Sequence, residues 1–268
     1  MWIPIVTATL IVSIIGLLIG IVLGIANDKF KINVDEKELQ IRELLPGNNC
    51  GGCGFASCDA VAKEIANENA PITVCPVGGK ALIENLAVLL GQEVGEVERK
   101  VAFVSCGGDC EVAKRKYTYH GDMDCKFAKT APGNSAKVCE VGCLGFGSCK
   151  KACEYDAIRI ERGIAIVDPT LCVACGVCIR TCPNELISFV SENTPVIARC
   201  SSHDKGKTVK EACQAGCIAC SLCVRACENG AIVMKDNLPS FDYTKCTDCG
   251  ACVAKCPTKC INRVMETT

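Results

Sequence analysis

The stretch Cys172-Val173-Ala174-Cys175-Gly176-Val177-Cys178-Ile179-Arg180-Thr181-Cys182-Pro183 constrains this chain more than any other. It reads C-x2-C-x2-C-x3-C-P. Three thiolates at that spacing can wrap one face of a [4Fe–4S] cube, while the backbone turns the fourth toward a different cluster. Cys246, Cys249, Cys252 and Cys256, followed by Pro257, repeat the run 74 residues later. The same offset carries Cys139, Cys143, Cys149 and Cys153 onto Cys213, Cys217, Cys223 and Cys227, and Ala157-Ile158 onto Ala231-Ile232. The chain therefore contains an internal duplication. Zinc sites also use paired C-x2-C motifs. Zinc explains neither the third C-x2-C step nor the terminal Cys-Pro, so iron–sulfur ligation is the better reading.

Each repeated unit reads as a two-cluster, bacterial ferredoxin-like domain. With 26 cysteines in 268 residues, a secreted chain would imply a disulfide scaffold. Cluster-type spacing implies instead a reducing compartment, with the thiolates occupied by metal. Small domains with few aromatic residues need such staples, because short chains bury little surface. The net charge of −1 gives no reason to expect nucleic acid.

Ile5 to Ala26 is 22 residues without a charge. At about 1.5 Å per residue this would cross a hydrocarbon core of roughly 30 Å. No basic residue precedes it and no A-x-A site follows, so it reads as a retained transmembrane anchor rather than a signal peptide. Lys29 and Lys31 place the bulk of the chain on the cytoplasmic side of a single-pass plasma-membrane protein. Gly16, Gly20 and Gly24 share a helix face that would admit another membrane helix. Asp35 to Leu45 reads as a short capped helix, Ser57 to Asn69 as a second and Lys80 to Leu90 as a third. Val101 to Val104 reads as a strand. Ala157 to Ile160 with Ile164 to Val167 reads as a hairpin about Arg162-Gly163, and Ile232 to Met234 with Phe241 to Tyr243 as its counterpart.

Between the first two of these helices and beyond lie Cys50-x2-Cys53-x4-Cys58-x16-Cys75-Pro76, four ligands for one further cluster. The run Glu43-Leu44-Leu45-Pro46-Gly47-Asn48-Asn49-Cys50-Gly51-Gly52-Cys53-Gly54, with Cys58-Asp59-Ala60 and Cys75-Pro76-Val77-Gly78-Gly79, resembles the four-cysteine iron–sulfur domain of the Rnf complex B subunits. The order of parts, apolar helix first and ferredoxin repeats behind, extends the resemblance over nearly the whole chain. It implies an iron–sulfur electron-transfer subunit of an ion-translocating ferredoxin:NAD+ oxidoreductase. Such a subunit accepts low-potential electrons from reduced ferredoxin. It passes them to flavin-bearing membrane partners, coupled to Na+ or H+ translocation.

The expected fold is α+β. A transmembrane anchor at 1–26 precedes a linker and helical four-cysteine domain at 27–95. A connecting segment with extra cysteines at 96–134 follows, then ferredoxin-like domains at 135–195 and 196–268. Five clusters are expected. Cys50, Cys53, Cys58 and Cys75 hold the first. Cys172, Cys175, Cys178 and Cys153 hold another. Cys217, Cys220, Cys223 and Cys256 form a set, as do Cys246, Cys249, Cys252 and Cys227. The position matching Cys220 is Phe146, so the remaining set is Cys143, Cys149 and Cys182 with Cys139 in place of the missing ligand. Without Cys139 a three-iron cluster would result. Cys106, Cys110, Cys125, Cys200, Cys213 and Cys260 are left over. A sixth cluster on Cys106, Cys110 and Cys125, with Cys200 as candidate fourth ligand, is the alternative to idle thiols.

Glu154 and Glu228 follow Cys153 and Cys227 where ferredoxins usually carry proline. Lys114-Arg115-Lys116 is either a solvated face or a dock for an acidic electron carrier. No G-x-G-x-x-G, phosphate loop or nucleophile–base pair is present, so no catalytic or nicotinamide site of its own is expected. The competing functions are a polyferredoxin arm of a membrane hydrogenase or acetyl-CoA pathway complex, and a structural zinc-binding interaction protein.

Overall fold

The computed structural model describes residues 2–29, 35–95 and 98–264; the side chains at 4, 5, 8, 9, 12, 27 and 28 are outside the description, as is Lys31. Helix α1 covers Ile3–Lys29. Among the described residues no helix is long and apolar enough to cross a membrane. The expected transmembrane anchor and single-pass membrane location are therefore not upheld. Where a Cβ would stand at Gly16, Gly20 and Gly24, nothing lies within 4 Å.

A helical domain follows. Asp35 caps α2, Glu36–Leu44, by accepting from the Lys37 N–H, and Ser57 caps α3, Cys58–Ala66, by accepting from the Ala60 N–H. Helix α4, Gly79–Leu90, ends at Gly91 in the left-handed conformation. Ile41, Val61, Ile65, Leu82 and Leu86 meet in one core, against which Cys53 and Cys58 pack.

The rest of the chain is two modules of one plan. In each, an inner hairpin sits beside an antiparallel pair of outer strands. In the first module the hairpin is β2, Ile158–Glu161, with β3, Ile164–Val167, and the outer pair is β1, Lys100–Val104, with β4, Ile187–Ser191. In the second, the hairpin is β6, Ile232–Lys235, with β7, Leu238–Phe241, and the outer pair is β5, Val196–Ala198, with β8, Ile261–Arg263. The segment at 96–134 thus supplies an outer strand of the first module. The second hairpin turns earlier than expected, at Asp236 and Asn237, whose φ values of 46° and 66° give the two left-handed residues of a tight hairpin turn. Arg162 and Gly163 do the same in the first.

The helical domain docks on the first module through its glycine loop. Arg180 Nη2 donates to the Cys50 carbonyl at 3.0 Å, and Asn48 Nδ2 to the Tyr155 hydroxyl at 2.6 Å. A Cβ on Gly52 would lie 2.5 Å from the Cys175 carbonyl oxygen.

Leu86 is fully buried, so Leu86→Ala should cost about 2–5 kcal/mol in denaturant unfolding of the helical domain. A cost below about 1 kcal/mol would show that α4 does not form its core. Gly52→Val should open the docked loop and raise proteolytic cleavage within it about tenfold, equivalent to ~1.4 kcal/mol of lost contact. Unchanged cleavage would mean that the two loops are not pressed together.

Candidate iron–sulfur centres

Four loops share one backbone pattern. In Cys172 to Gly176 the residues at positive φ are Ala174 and Gly176; in Cys217 to Ser221 they are Ala219 and Ser221; in Cys246 to Gly250 they are Asp248 and Gly250. In the fourth loop, Cys143 to Gly147, they are Gly145 and Gly147. Each loop enters a short helix: Val177–Thr181, Leu222–Ala226, Ala251–Lys255 and Ser148–Lys151. Two left-handed residues either side of the central position turn the backbone so that neighbouring sulfurs face one volume. The fourth loop keeps that backbone but holds Phe146, not cysteine, at its centre, packed against Tyr119 with ring centroids 5.1 Å apart.

Cys172, Cys175 and Cys178 line a small cavity together with Cys153. Cys217, Cys220, Cys223 and Cys256 line another. Cys252 faces Cys246 and Cys249, and Cys227 and Cys246 pack on the core that contains Cys252. Cys75 faces Cys53 and Cys58, and the N–H groups of Val77 and Gly78 point at its sulfur. Cys50 faces outward toward Cys175.

The remaining cysteines fall into two groups that differ from the sequence expectation. Cys149 is surrounded by Cys143, Cys125, Cys182 and Cys178. Cys125 begins the helix Cys125–Lys129, held to Ser148 by its own N–H at 2.7 Å, while the Ser148 hydroxyl donates to Asp124 at 2.9 Å. The structure therefore brings Cys125, rather than Cys139, to the loop that lacks a cysteine at Phe146. Cys139 faces Cys106 and Cys200 instead. Those three line a cavity of about 70 Å³ with Cys213, beside Lys137 and Arg199. A Cβ on Gly108 would lie 3.1 Å from the Cys213 sulfur and 3.8 Å from that of Cys106; one on Gly142 would lie 3.4 Å from Cys139 and 3.7 Å from Cys106. Cys110 stays exposed and outside both groups.

This second group mirrors the duplication. Cys106 follows β1 as Cys200 follows β5, and Cys139 is separated from Cys213 by the 74-residue offset. Each module gives one pair of equivalent sulfurs to a site between them. The signal was present in the sequence, in the matched pair Cys139 and Cys213; what it lacked was the strand pairing that brings them together.

Burial pushes the thiols of Cys139 and Cys143 up to about 11, and those of Cys149, Cys178 and Cys223 up to about 12, 12 and 11, with neighbouring sulfurs adding to it. Sulfurs so buried and crowded hold negative charge together only around a cation. All-thiolate donor sets match soft metal centres. Among the described residues no three such side chains converge on a single-ion point. The cavities and donors fit iron–sulfur cages.

The groups adjoin one another. Cys50 faces Cys175; Cys178 faces Cys149; the Cys143 N–H donates to the Cys106 sulfur at 3.3 Å. Cys260, 1 % exposed, hydrogen-bonds with both Cys200 and Cys217. Its hydrogen bonds pull those two thiols down, to about 6 and about 7, and its own up. Cys223 and Cys252 share one core.

Family models match in three places: an Fe-S cluster domain at residues 45–77, a 4Fe-4S binding domain at 165–188 and a 4Fe-4S dicluster domain at 216–261. The chain is 45% identical over 257 residues to the B subunit of the Na+-translocating ferredoxin:NAD+ oxidoreductase complex of Acetobacterium woodii, covering 96% of this chain and 77% of that one. It is 43% identical over 248 residues to the B subunit of the ion-translocating oxidoreductase complex of Methanosarcina acetivorans, covering 92% and 94%. It is 37% identical over 262 residues to the B subunit of the proton-translocating ferredoxin:NAD+ oxidoreductase complex of Clostridium ljungdahlii, covering 96% and 92%. With several iron–sulfur domains in one chain and near full-length likeness to these proteins, the chain belongs to the B-subunit family of Rnf complexes.

Proposed function

We propose that the chain is a linear electron conductor that takes electrons from reduced ferredoxin and delivers them to partner subunits of a ferredoxin:NAD+ oxidoreductase. The observation that carries this reading is the succession of neighbouring cysteine groups from the helical domain to the second module. A bound [4Fe–4S] cluster supplies one-electron exchange at a potential set by charge, hydrogen bonds to sulfur and exposure.

The ligand sets we assign run in this order. Cys50, Cys53, Cys58 and Cys75 stand in the helical domain. Cys153, Cys172, Cys175 and Cys178 come next, then Cys125, Cys143, Cys149 and Cys182. Cys106, Cys139, Cys200 and Cys213 join the two modules. Cys217, Cys220, Cys223 and Cys256 follow, and Cys227, Cys246, Cys249 and Cys252 end the line. The chain's own groups shape the path. Ala102 N–H donates to the Cys172 sulfur at 3.4 Å, Ala231 N–H to Cys227 at 3.3 Å and Cys260 N–H to Cys256 at 3.3 Å. Such bonds favour the more negative, reduced state of a cluster. The loops at Gly52 and Cys175 are in close contact where the helical domain hands over to the first module.

Lys114, Arg115 and Lys116 are exposed beside the module junction. Lys116 is held by Glu140 at 2.7 Å, so Lys114 and Arg115 carry the charge offered to an acidic donor.

Anaerobically prepared chain should hold about 24 irons and as many sulfides, four for each cubane. Cys125→Ala should remove or convert one cluster of the first module, and Cys139→Ala one that depends equally on Cys213. An unchanged iron count and EPR spectrum in Cys125→Ala would overturn that assignment, and zinc without sulfide would overturn the whole. Lys114→Glu with Arg115→Glu should slow reduction by ferredoxin roughly threefold or more at low ionic strength, with the difference fading as salt screens it. Equal stopped-flow rates at all salt concentrations would place the dock elsewhere.

A further inference from the structure

The site shared by the two modules is lined by two cations, half-buried Arg199 and buried Lys137, the second of which also faces Cys143 of the neighbouring set. Lys137 is 5 % exposed. Its ammonium donates to the carbonyls of Gly108 at 2.7 Å, Cys143 at 2.8 Å and Gly163 at 3.2 Å. All three donors are satisfied, and none of the acceptors is a carboxylate. A buried charge needs a counter-charge. Lys137 lines the cavity formed by Cys106, Cys139, Cys200 and Cys213.

Arg199 lines the same cavity from the opposite module. Its Nη2 reaches the Cys106 carbonyl at 3.4 Å, and its buried Nε has no hydrogen-bond partner. The nearby buried Asp109 also attracts Arg199, but it is shared with Arg162 at 3.1 Å and accepts from the N–H groups of Glu111 and Val112. Asp204, also on the cavity, is exposed to water. The arginines nearest two other sets, Arg180 at Cys50 and Arg225 at Cys220, are exposed and screened.

Reduction adds one negative charge to a cluster. Two cations in a low-dielectric wall stabilise that charge more than surface cations do. Resting on the ligand set assigned above, we propose that Lys137 and Arg199 give the cluster between the modules the highest reduction potential in the chain. The first electron to enter then comes to rest at the site between the two modules. Lys137 and Arg199 act as positioning residues: they touch no donor or acceptor of electrons directly, and set the energy of one.

The test is an EPR-monitored redox titration of the full chain, loaded with iron and sulfide, as wild type, Lys137→Met, Arg199→Met and Arg199→Lys. The component reduced first should move to lower potential in both Met variants. Its reduction equilibrium constant should fall about tenfold or more, which is about 59 mV for one electron. Arg199→Lys should return it toward the wild-type value, at constant iron content. Removing Lys137 leaves three buried carbonyls without a donor, so the Arg199 pair carries the test if Lys137→Met does not fold. A first-reduced component that stays in place in Arg199→Met, or a uniform shift of all components, would overturn the proposal. Cys213→Ala separates the two levels. If it removes that component while Arg199→Met leaves it unmoved, the cations are irrelevant and the ligand set stands. If Cys213→Ala leaves iron and spectrum intact, the ligand set itself is wrong.

Discussion

Buried sulfur dictates this structure. Thiolates packed this densely into small modules repel one another, and a short chain has too little apolar core to overcome that. The fold answers with a repeated backbone device: a loop with left-handed residues on both sides of its central position, entering a short helix. Ala174 with Gly176, Ala219 with Ser221 and Asp248 with Gly250 do this in three loops, and Gly145 with Gly147 in the fourth. Non-glycine residues carry some strain in that conformation. Metal ligation and the strands that clamp each loop must supply the compensation. The hairpins, the outer strand pairs and the docking of the helical domain all follow from closing these loops around their contents.

Much of this was legible in the sequence. The C-x2-C-x2-C-x3-C-P runs give the loops, and the 74-residue offset gives two modules. Arg162-Gly163 marks the first hairpin because glycine tolerates positive φ. The second hairpin was harder, since Asp236 and Asn237 carry the turn without a glycine, and Leu238-Pro239 does not look like a strand. The sequence singled out Cys106, Cys125 and Cys200 as candidate ligands and matched Cys139 with Cys213, but it did not show that Cys125 joins the Phe146 loop or that Cys106, Cys139, Cys200 and Cys213 meet. Those meetings depend on where β1 and β5 end after pairing with strands far along the chain, and no local spacing encodes that. The apolar run at the N-terminus read as a membrane span from its uncharged length, the basic residues behind it and the lack of signal-peptide features; among the described residues no helix is long and apolar enough to supply one.

The duplication explains the site between the modules. Two copies of one unit present equivalent cysteines, Cys106 with Cys200 and Cys139 with Cys213, and the fold lets them complete one another. Lys137 from one copy and Arg199 from the other have no equivalents at the matched positions, Glu211 and Ser105. Divergence after duplication has thus placed the charges asymmetrically in a symmetric frame. This is a means of setting direction along a line whose ligands are otherwise alike.

The proposed conductor is one continuous line of six sulfur sets from the helical domain to the second module. Anomalous diffraction at the iron edge, on crystals grown without oxygen, tests it most directly. Six iron peaks in sequence are expected, one of them between Cys106 and Cys213 and one beside Cys125. A map with no iron between the modules, or with peaks at the zinc edge in their place, would contradict it.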